Sequence, residues 1–198
     1  MPGKKFVEDH IDVVNEEIEH LNKLVMDFLT AVRPVKATLE LKDPDKILSD
    51  LVVFLKPEFN KSGIKMNFDP SGKSQRIMLD EKLFREVLVN LTQNAIAAME
   101  GKRGALCIRS CVKEDNYLLT VQDNGSGMDE ETSSHVFEPY YTTKANGTGL
   151  GLTTVYKIIK EFRGDIRVNS AKGRGTVFTI TLPVPQHNIK LLPQQRSS

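Results

Sequence analysis

Residues 80–101 constrain this chain most. Leu83, Phe84, Val87, Leu88, Leu91, Ala95, Ile96 and Met99 recur at helical spacing, which predicts a helix from Asp80 to Glu100 with Gly101 just past its end. One polar stripe runs along it: Glu86, Asn90 and Asn94, at i, i+4 and i+8. A part-buried asparagine must use its amide donors and its carbonyl, or it costs stability. Either these asparagines bond backbone across a core, or their oxygens face a hydrated Mg²⁺, which prefers hard oxygen ligands and keeps several waters. The stripe alone leans to the first.

The surroundings of that helix set the fold class. Val35 to Lys42 reads as extended. Asp43-Pro44 then opens a helix, Asp as N-cap and Pro at the first position, carrying Ile47, Leu48, Leu51, Val52 and Leu55 and ending near Ser62-Gly63. Ile64 to Phe68 and Ile77 to Leu79 read as short strands around a polar turn. Ala105 to Val112 and Tyr117 to Gln122 alternate like antiparallel neighbours joined at Lys113–Asn116. A Gly-, Thr- and Ser-rich stretch, 123–151, precedes a helix from Leu150 to Phe162. Asp165 to Asn169 and Thr176 to Leu182 close the sheet, with Thr176, Phe178, Ile180 and Leu182 on one face. Helices and strands do not alternate as βαβ units. The expected fold is therefore α+β, a two-layer sandwich with a mixed, mostly antiparallel sheet.

Residues 1–34 form a separate unit. Val7, Ile11, Val14, Ile18, Leu21, Val25, Phe28 and Val32 are spaced 4-3-4-3-4-3-4, an a/d seam. The helix is expected to stop at Arg33-Pro34, because the residue before proline leaves the helical region. So strict a seam favours a bundle or coiled-coil contact, a homodimer among them, over packing on its own domain. Residues 35–184 are then the sandwich domain, and the Gln/Pro-rich stretch 185–198 is expected to be disordered.

Charge narrows the partners. Lys+Arg is 27 against Asp+Glu 26 in 198 residues, a net charge of +1, with no footprint for nucleic acid or an anionic membrane. No apolar run reaches the roughly 18 residues that span a bilayer, and a cytoplasmic location is expected, whatever anchors a longer parent carries. Cys107 and Cys111 lie at i and i+4 of a strand, roughly 13 Å apart, too far for a disulfide.

Three further elements carry chemistry. Asp123-Asn124-Gly125-Ser126-Gly127-Met128 ends a strand, and counting by two puts Asp123 on the face of Leu119 and Val121. A carboxylate there needs a partner. A purine amino group would serve, with Gly125 and Gly127 letting backbone approach a flat ring; a plain turn headed by Asp is the alternative. Gly147-Thr148-Gly149-Leu150-Gly151-Leu152 runs straight into a helix, where glycines and free N-terminal amides make an anion site. Before it, Phe137 to Asn146 reads as a flexible lid whose one cation, Lys144, is in reach of a β- or γ-phosphate or is a solvated loop lysine. Gly173-Arg174-Gly175-Thr176 starts the last strand, and turn chemistry accounts for its glycines without a ligand.

In order and spelling these blocks resemble the GHKL ATPase superfamily and, within it, the sensor histidine kinases of nitrogen-regulation type. Asn90 to Ala95 matches N-L-x-x-N-A, Asp123 to Met128 matches D-N-G-x-G-M, Phe137 to Lys144 is similar to F-E-P-F-F-T-T-K, and Gly147 to Leu152 matches G-T-G-L-G-L. The resemblance covers roughly residues 39–183. It implies ATP and Mg²⁺ as cofactors and a Bergerat-type fold. It makes Asn94 the metal ligand, Asn90 a catalytic neighbour of the phosphates, and Asp123 the reader of the adenine amino group. Gly125, Gly127, Met128 and Thr176 would line the adenine pocket. Lys144, also catalytic, would hold the phosphate tail with Gly147, Thr148, Gly149, Leu150, Gly151 and Leu152. Many such kinases put a basic residue and a tyrosine three and four positions after the metal asparagine; this chain has Ala97 and Ala98, so neutralisation leans on Mg²⁺ and Lys144.

The larger departure is the phosphoacceptor. None of the four histidines, His10, His20, His135 and His187, stands in the expected H-E-x-x-x-P box. The seam helix resembles instead the second helix of the dimerisation hairpin. The expectation is a kinase catalytic domain that binds ATP, lacks its phosphoacceptor helix and does not phosphorylate itself. In the whole kinase the γ-phosphoryl group would pass to that helix and on to a response-regulator aspartate. Hydrolytic GHKL ATPases carry a glutamate base one turn before the metal asparagine, where this chain has Asn90, which cannot take a proton from water. An anti-sigma-type serine kinase and a nucleotide-degenerate dimer module are the remaining rivals; the Phe137 block and the intact asparagines and glycines argue against them.

Overall fold

The computed structural model of the protein describes residues 35–101, 103–144 and 147–185, and within the N-terminal segment Val14, Ile18, Leu21 and Val25. Those four are helical and each is at least half exposed, so the described part of the seam is an outward apolar face. Val7, Ile11, Phe28 and Val32 lie outside the described residues, as does the tail from residue 186 on.

In chain order the domain runs β1 (Glu40–Lys42), α1 (Pro44–Lys61), β2 (Ile64–Asp69), β3 (Ile77–Leu79), α2 (Glu81–Ala98), β4 (Gly104–Lys113), β5 (Asn116–Asp123), α3 (Glu130–His135), α4 (Gly151–Glu161), β6 (Asp165–Ala171) and β7 (Gly175–Pro183). Five strands form one sheet in the order β2-β4-β5-β7-β6; β2–β4 is parallel and the other pairs are antiparallel. β1 and β3 pair as a separate antiparallel ribbon, so of the extended 35–42 segment only three residues are strand. The α+β sandwich with a mixed, mostly antiparallel sheet is the observed architecture. Only α3 was not anticipated. It is a six-residue helix opened by Asp129, whose Oδ1 accepts from Thr132 N at 2.9 Å, and it buries no side chain, so it leaves no apolar period to read.

One face of the sheet carries the core. Leu106 and Ile108 of β4, Tyr117, Leu119 and Val121 of β5, and Phe178, Ile180 and Leu182 of β7 are buried against Leu48, Leu51, Leu55 and Phe59 of α1, Phe84, Val87, Leu88 and Leu91 of α2, and Val155, Ile158 and Ile159 of α4. Cys107 and Cys111 point to the opposite face and are free thiols. Among the described residues no helix is long and apolar enough to cross a membrane.

Asp45, in the first turn of α1, pins that helix to the sheet. Its Oδ1 accepts from Tyr117 Oη at 2.5 Å and Ser110 Oγ at 2.6 Å, and its Oδ2 accepts from Ser71 Oγ at 2.6 Å and Ser71 N at 3.1 Å. Burial and the Asp45 acceptor push the Tyr117 phenol well above its ordinary pKa, so it is a fixed donor. The network satisfies every buried hydroxyl it contains.

Candidate functional site

The site is built on α2. Asp80 caps the helix, its Oδ1 accepting from Leu83 N, and the apolar face enters the core. The opposite edge presents Asn90, Asn94 and Ala98, one turn apart and about 12 Å end to end. Each meets a different loop. Asn90 faces Gly151, the first residue of α4, and Asn94 Oδ1 accepts from Lys144 Nζ at 2.8 Å. The Ala98 carbonyl accepts from Ser126 N at 2.9 Å. Two glycine-bearing stretches, one around Ser126 and one that includes Lys144 and Gly151, thus converge on one stripe.

At the Ala98 end lies Asp123, the last residue of β5, 7% exposed. Its Oδ1 accepts from Gly125 N at 2.8 Å and Thr176 N at 3.2 Å, which leaves Oδ2 for an outside donor. Burial pushes the carboxyl pKa up, and the two backbone donors pull against it. The loop after Asp123 is clasped by the β6–β7 turn. Gly173 N donates to Ser126 O at 2.6 Å, and Met128 N donates to Ser170 Oγ at 2.8 Å. Ser170 Oγ also donates to Gly175 O and pairs with Thr176 Oγ1, each at 3.0 Å. Thr176 is buried beside Asp123.

Two residues here exceed what the sequence suggested. Ser170 ties Met128 to Thr176, and a lone serine on a strand carries no signal of that. Gly175 was explained by turn chemistry alone, but it has φ +83° and a Cβ there would stand 2.1 Å from the Asp123 carbonyl oxygen. Gly173, with open space around it, fits the turn explanation.

At the other end, Asn90 Nδ2 donates to the Glu86 carbonyl at 3.0 Å, which holds the side chain and turns Oδ1 toward Gly151. α1, α2 and α3 are each preceded by an aspartate cap, whereas α4 has Leu150 at the cap position and no side-chain cap. Its first-turn amides and the positive end of its dipole are left for a ligand. Described residues on the approach to α4 bond to one another. Tyr140 N donates to Gly149 O at 3.1 Å, Leu150 N to Thr148 Oγ1 at 3.4 Å, and Gly147 N to Lys144 O at 3.1 Å. Leu152 is half-buried and packs on the core.

Comparison with known proteins identifies the family. The family model described as "Histidine kinase-, DNA gyrase B-, and HSP90-like ATPase" matches residues 79–186, more than half of the chain and every element of the site. The chain belongs to this family. Among curated members, Sporulation kinase E of Bacillus subtilis is 34% identical over 178 residues, 90% of this chain and 24% of that protein. Sensor histidine kinase ZraS of Salmonella typhimurium is 36% identical over 175 residues, 87% of this chain and 37% of that protein. The chain therefore spans about a quarter to over a third of the curated relatives it matches.

Solved structures of the family agree. The nucleotide-free catalytic domain of histidine kinase ThkA is 30% identical with a TM-score of 0.66, covering 76% of this chain and 97% of that one. ThkA in complex with response regulator protein TrrA is 25% identical, with a TM-score of 0.74 over 89% of this chain and 51% of that one. Full-length ShkA in complex with AMPPNP, at 23% identity, shows the same fold with a TM-score of 0.77, covering 90% of this chain and 39% of that one.

Proposed function

We propose that this chain is the ATP- and Mg²⁺-binding catalytic part of a sensor histidine kinase, and that its nucleotide lies along the α2 stripe from Asp123 to the start of α4. The observation that carries it is the Lys144 ammonium on Asn94 Oδ1 at 2.8 Å, beside an uncapped helix N-terminus. Lys144 stands in for a cation, so Asn94 presents its oxygen as a metal ligand must. Asn94 would hold a bound Mg²⁺, which would supply charge neutralisation for the phosphate tail.

Asp123 Oδ2 accepts the adenine amino group, while its Oδ1 stays on Gly125 and Thr176. Gly127 and Met128 present backbone to the ring, and Thr176 closes its edge. The amides of Gly149 to Gly151 and the α4 dipole receive the phosphates, with Gly147, Thr148 and Leu152 shaping their approach. Asn90, with its amide spent on Glu86, offers its oxygen to metal-bound water rather than to phosphate. None of these groups is a base for hydrolytic water, so hydrolysis is slow.

In the whole kinase a histidine Nε2 outside this chain attacks the γ-phosphorus in line. The N–P bond forms as the β–γ bridging P–O bond breaks and ADP departs, and the phosphoryl group then passes to a response-regulator aspartate. The names of the relatives support kinase chemistry, and the complex of ThkA with a response regulator supports the partner. The apolar seam of residues 7–32 supports a helical partner, a second copy included.

The test is calorimetric titration of MgATP into the wild type and Asp123→Ala. Binding lost in the variant supports the site. No binding by the wild type would refute it.

A further inference from the structure

β2 and β4 run parallel with Ile64 opposite Gly104, so the connections that lead into them, one from α1 and one from α2, lie side by side. A cavity of about 480 Å³ opens between these two helix ends. Ile64 and Met99 in its lining are buried and Ile96 is half-buried, which makes the interior apolar. That wall is close-packed: a Cβ on Gly104 would stand 2.6 Å from Met99 Sδ and 2.9 Å from Ile64 Cγ1.

The edge of the cavity is electrostatically one-sided. Glu58, in the last turn of α1, and Glu100, just past the cap of α2, both line it and are exposed. A helix C-terminus carries the negative end of the dipole and favours a cation beside it. α2 has no basic residue in its last turn, and Lys61, the basic residue in the last turn of α1, does not line the cavity. Among the described residues no basic side chain forms an ion pair with Glu58 or Glu100. Two carboxylates and two negative helix ends therefore surround one apolar hollow.

We propose that this cleft binds an organic cation with an apolar body, its ammonium between Glu58 and Glu100 and its body against Ile64, Ile96 and Met99. A carbon stem with one charged end divides itself in this way, apolar length inside and charge at the water. An anion would meet both carboxylates and both helix ends with like charge, and a neutral stem would offset none of them. The volume lies within the roughly 300–1,000 Å³ of small-molecule sites.

The cleft is separate from the nucleotide stripe. Gln93 and Ala97 line it from one side of α2. Asn94 and Ala98, each the next residue and about 100° further round the helix, face Lys144 and Ser126 instead. The proposal therefore stands independently of the ATP site.

The experiment is calorimetric titration of the full chain with hexylamine, hexanol and hexanoate, one stem with three head groups. Hexylamine is expected to bind about five- to tenfold tighter than hexanol, the size of two exposed charge contacts, and hexanoate more weakly than either. The double variant Glu58→Gln, Glu100→Gln should bring hexylamine to the hexanol level. Both carboxylates are exposed and unpaired among the described residues, so the variant should melt at the wild-type temperature. Ala97→Phe, which fills the cleft from the α2 side, should weaken all three ligands. Equal binding of the three would show an apolar hollow without charge selection and overturn the proposal. Hexylamine affinity unchanged in the double variant, or no hexylamine binding by the wild type, would overturn it as well.

Discussion

Gly151 stands against Asn90: a Cβ on residue 151 would lie 2.8 Å from Asn90 Oδ1 and 3.7 Å from its Cγ. The obstacle is the end of a side chain, held in place by the Asn90–Glu86 bond. Gly151→Ala can therefore displace Asn90 without moving backbone, and alanine favours the helix. Stability should change by less than about 1 kcal/mol in urea melts. MgATP affinity should fall about tenfold, close to one lost hydrogen bond to a charged group. Unchanged affinity would remove Asn90 from the site.

Gly175 makes the opposite case. Its φ of +83° and its approach to the Asp123 carbonyl involve backbone, which cannot step aside. Gly175→Ala should lower stability by about 2–4 kcal/mol and disturb Asp123 as well. A melt within error of wild type would contradict the packing.

Asp45 and Tyr117 test the scaffold apart from the site. Tyr117→Phe removes one donor and should cost about 1–2 kcal/mol. Asp45→Ala strands the hydroxyls of Tyr117, Ser110 and Ser71 and should cost about 3 kcal/mol or more. Nucleotide affinity of the folded variants should stay at the wild-type level. A large loss of affinity in Tyr117→Phe would show that the two regions are coupled.

Asp123 is a carboxylate whose pKa is raised by burial, so the folded state holds its proton more tightly than the unfolded state. Stability from this group is therefore greatest below its ordinary pKa and declines as pH rises through the raised one. In Asp123→Asn that decline should vanish, and stability at neutral pH should equal or exceed that of the wild type. Binding should move the other way. An amide NH₂ in place of Oδ2 meets the adenine amino group donor to donor, with a loss of more than about tenfold. Urea melts across pH 3–8 and calorimetry check both halves.

Incubated with γ-labelled ATP and Mg²⁺, this chain alone should carry no label that survives alkali and is lost in acid. Such a label on any of its four histidines would contradict the reading of a catalytic part without its phosphoacceptor.

The features legible in the bare chain are local. Asp43 and Asp80 start helices, the alternation of 105–122 makes a hairpin, and the four blocks around Asn90, Asp123, Phe137 and Gly147 name the family, because caps, periods and short motifs act within a few residues. Which groups meet is another matter. Asn94 with Lys144, Asn90 with Gly151 and Ser126 with Ala98 depend on where α2 lies against loops tens of residues away. The clasp of Met128 by Ser170 and of Asp123 by Thr176 exists only because β7 lies between β5 and β6. Strand order is set by the burial of the whole apolar face at once. No single residue records it, and so the partners of Asp123 and Lys144 became visible only in the folded chain.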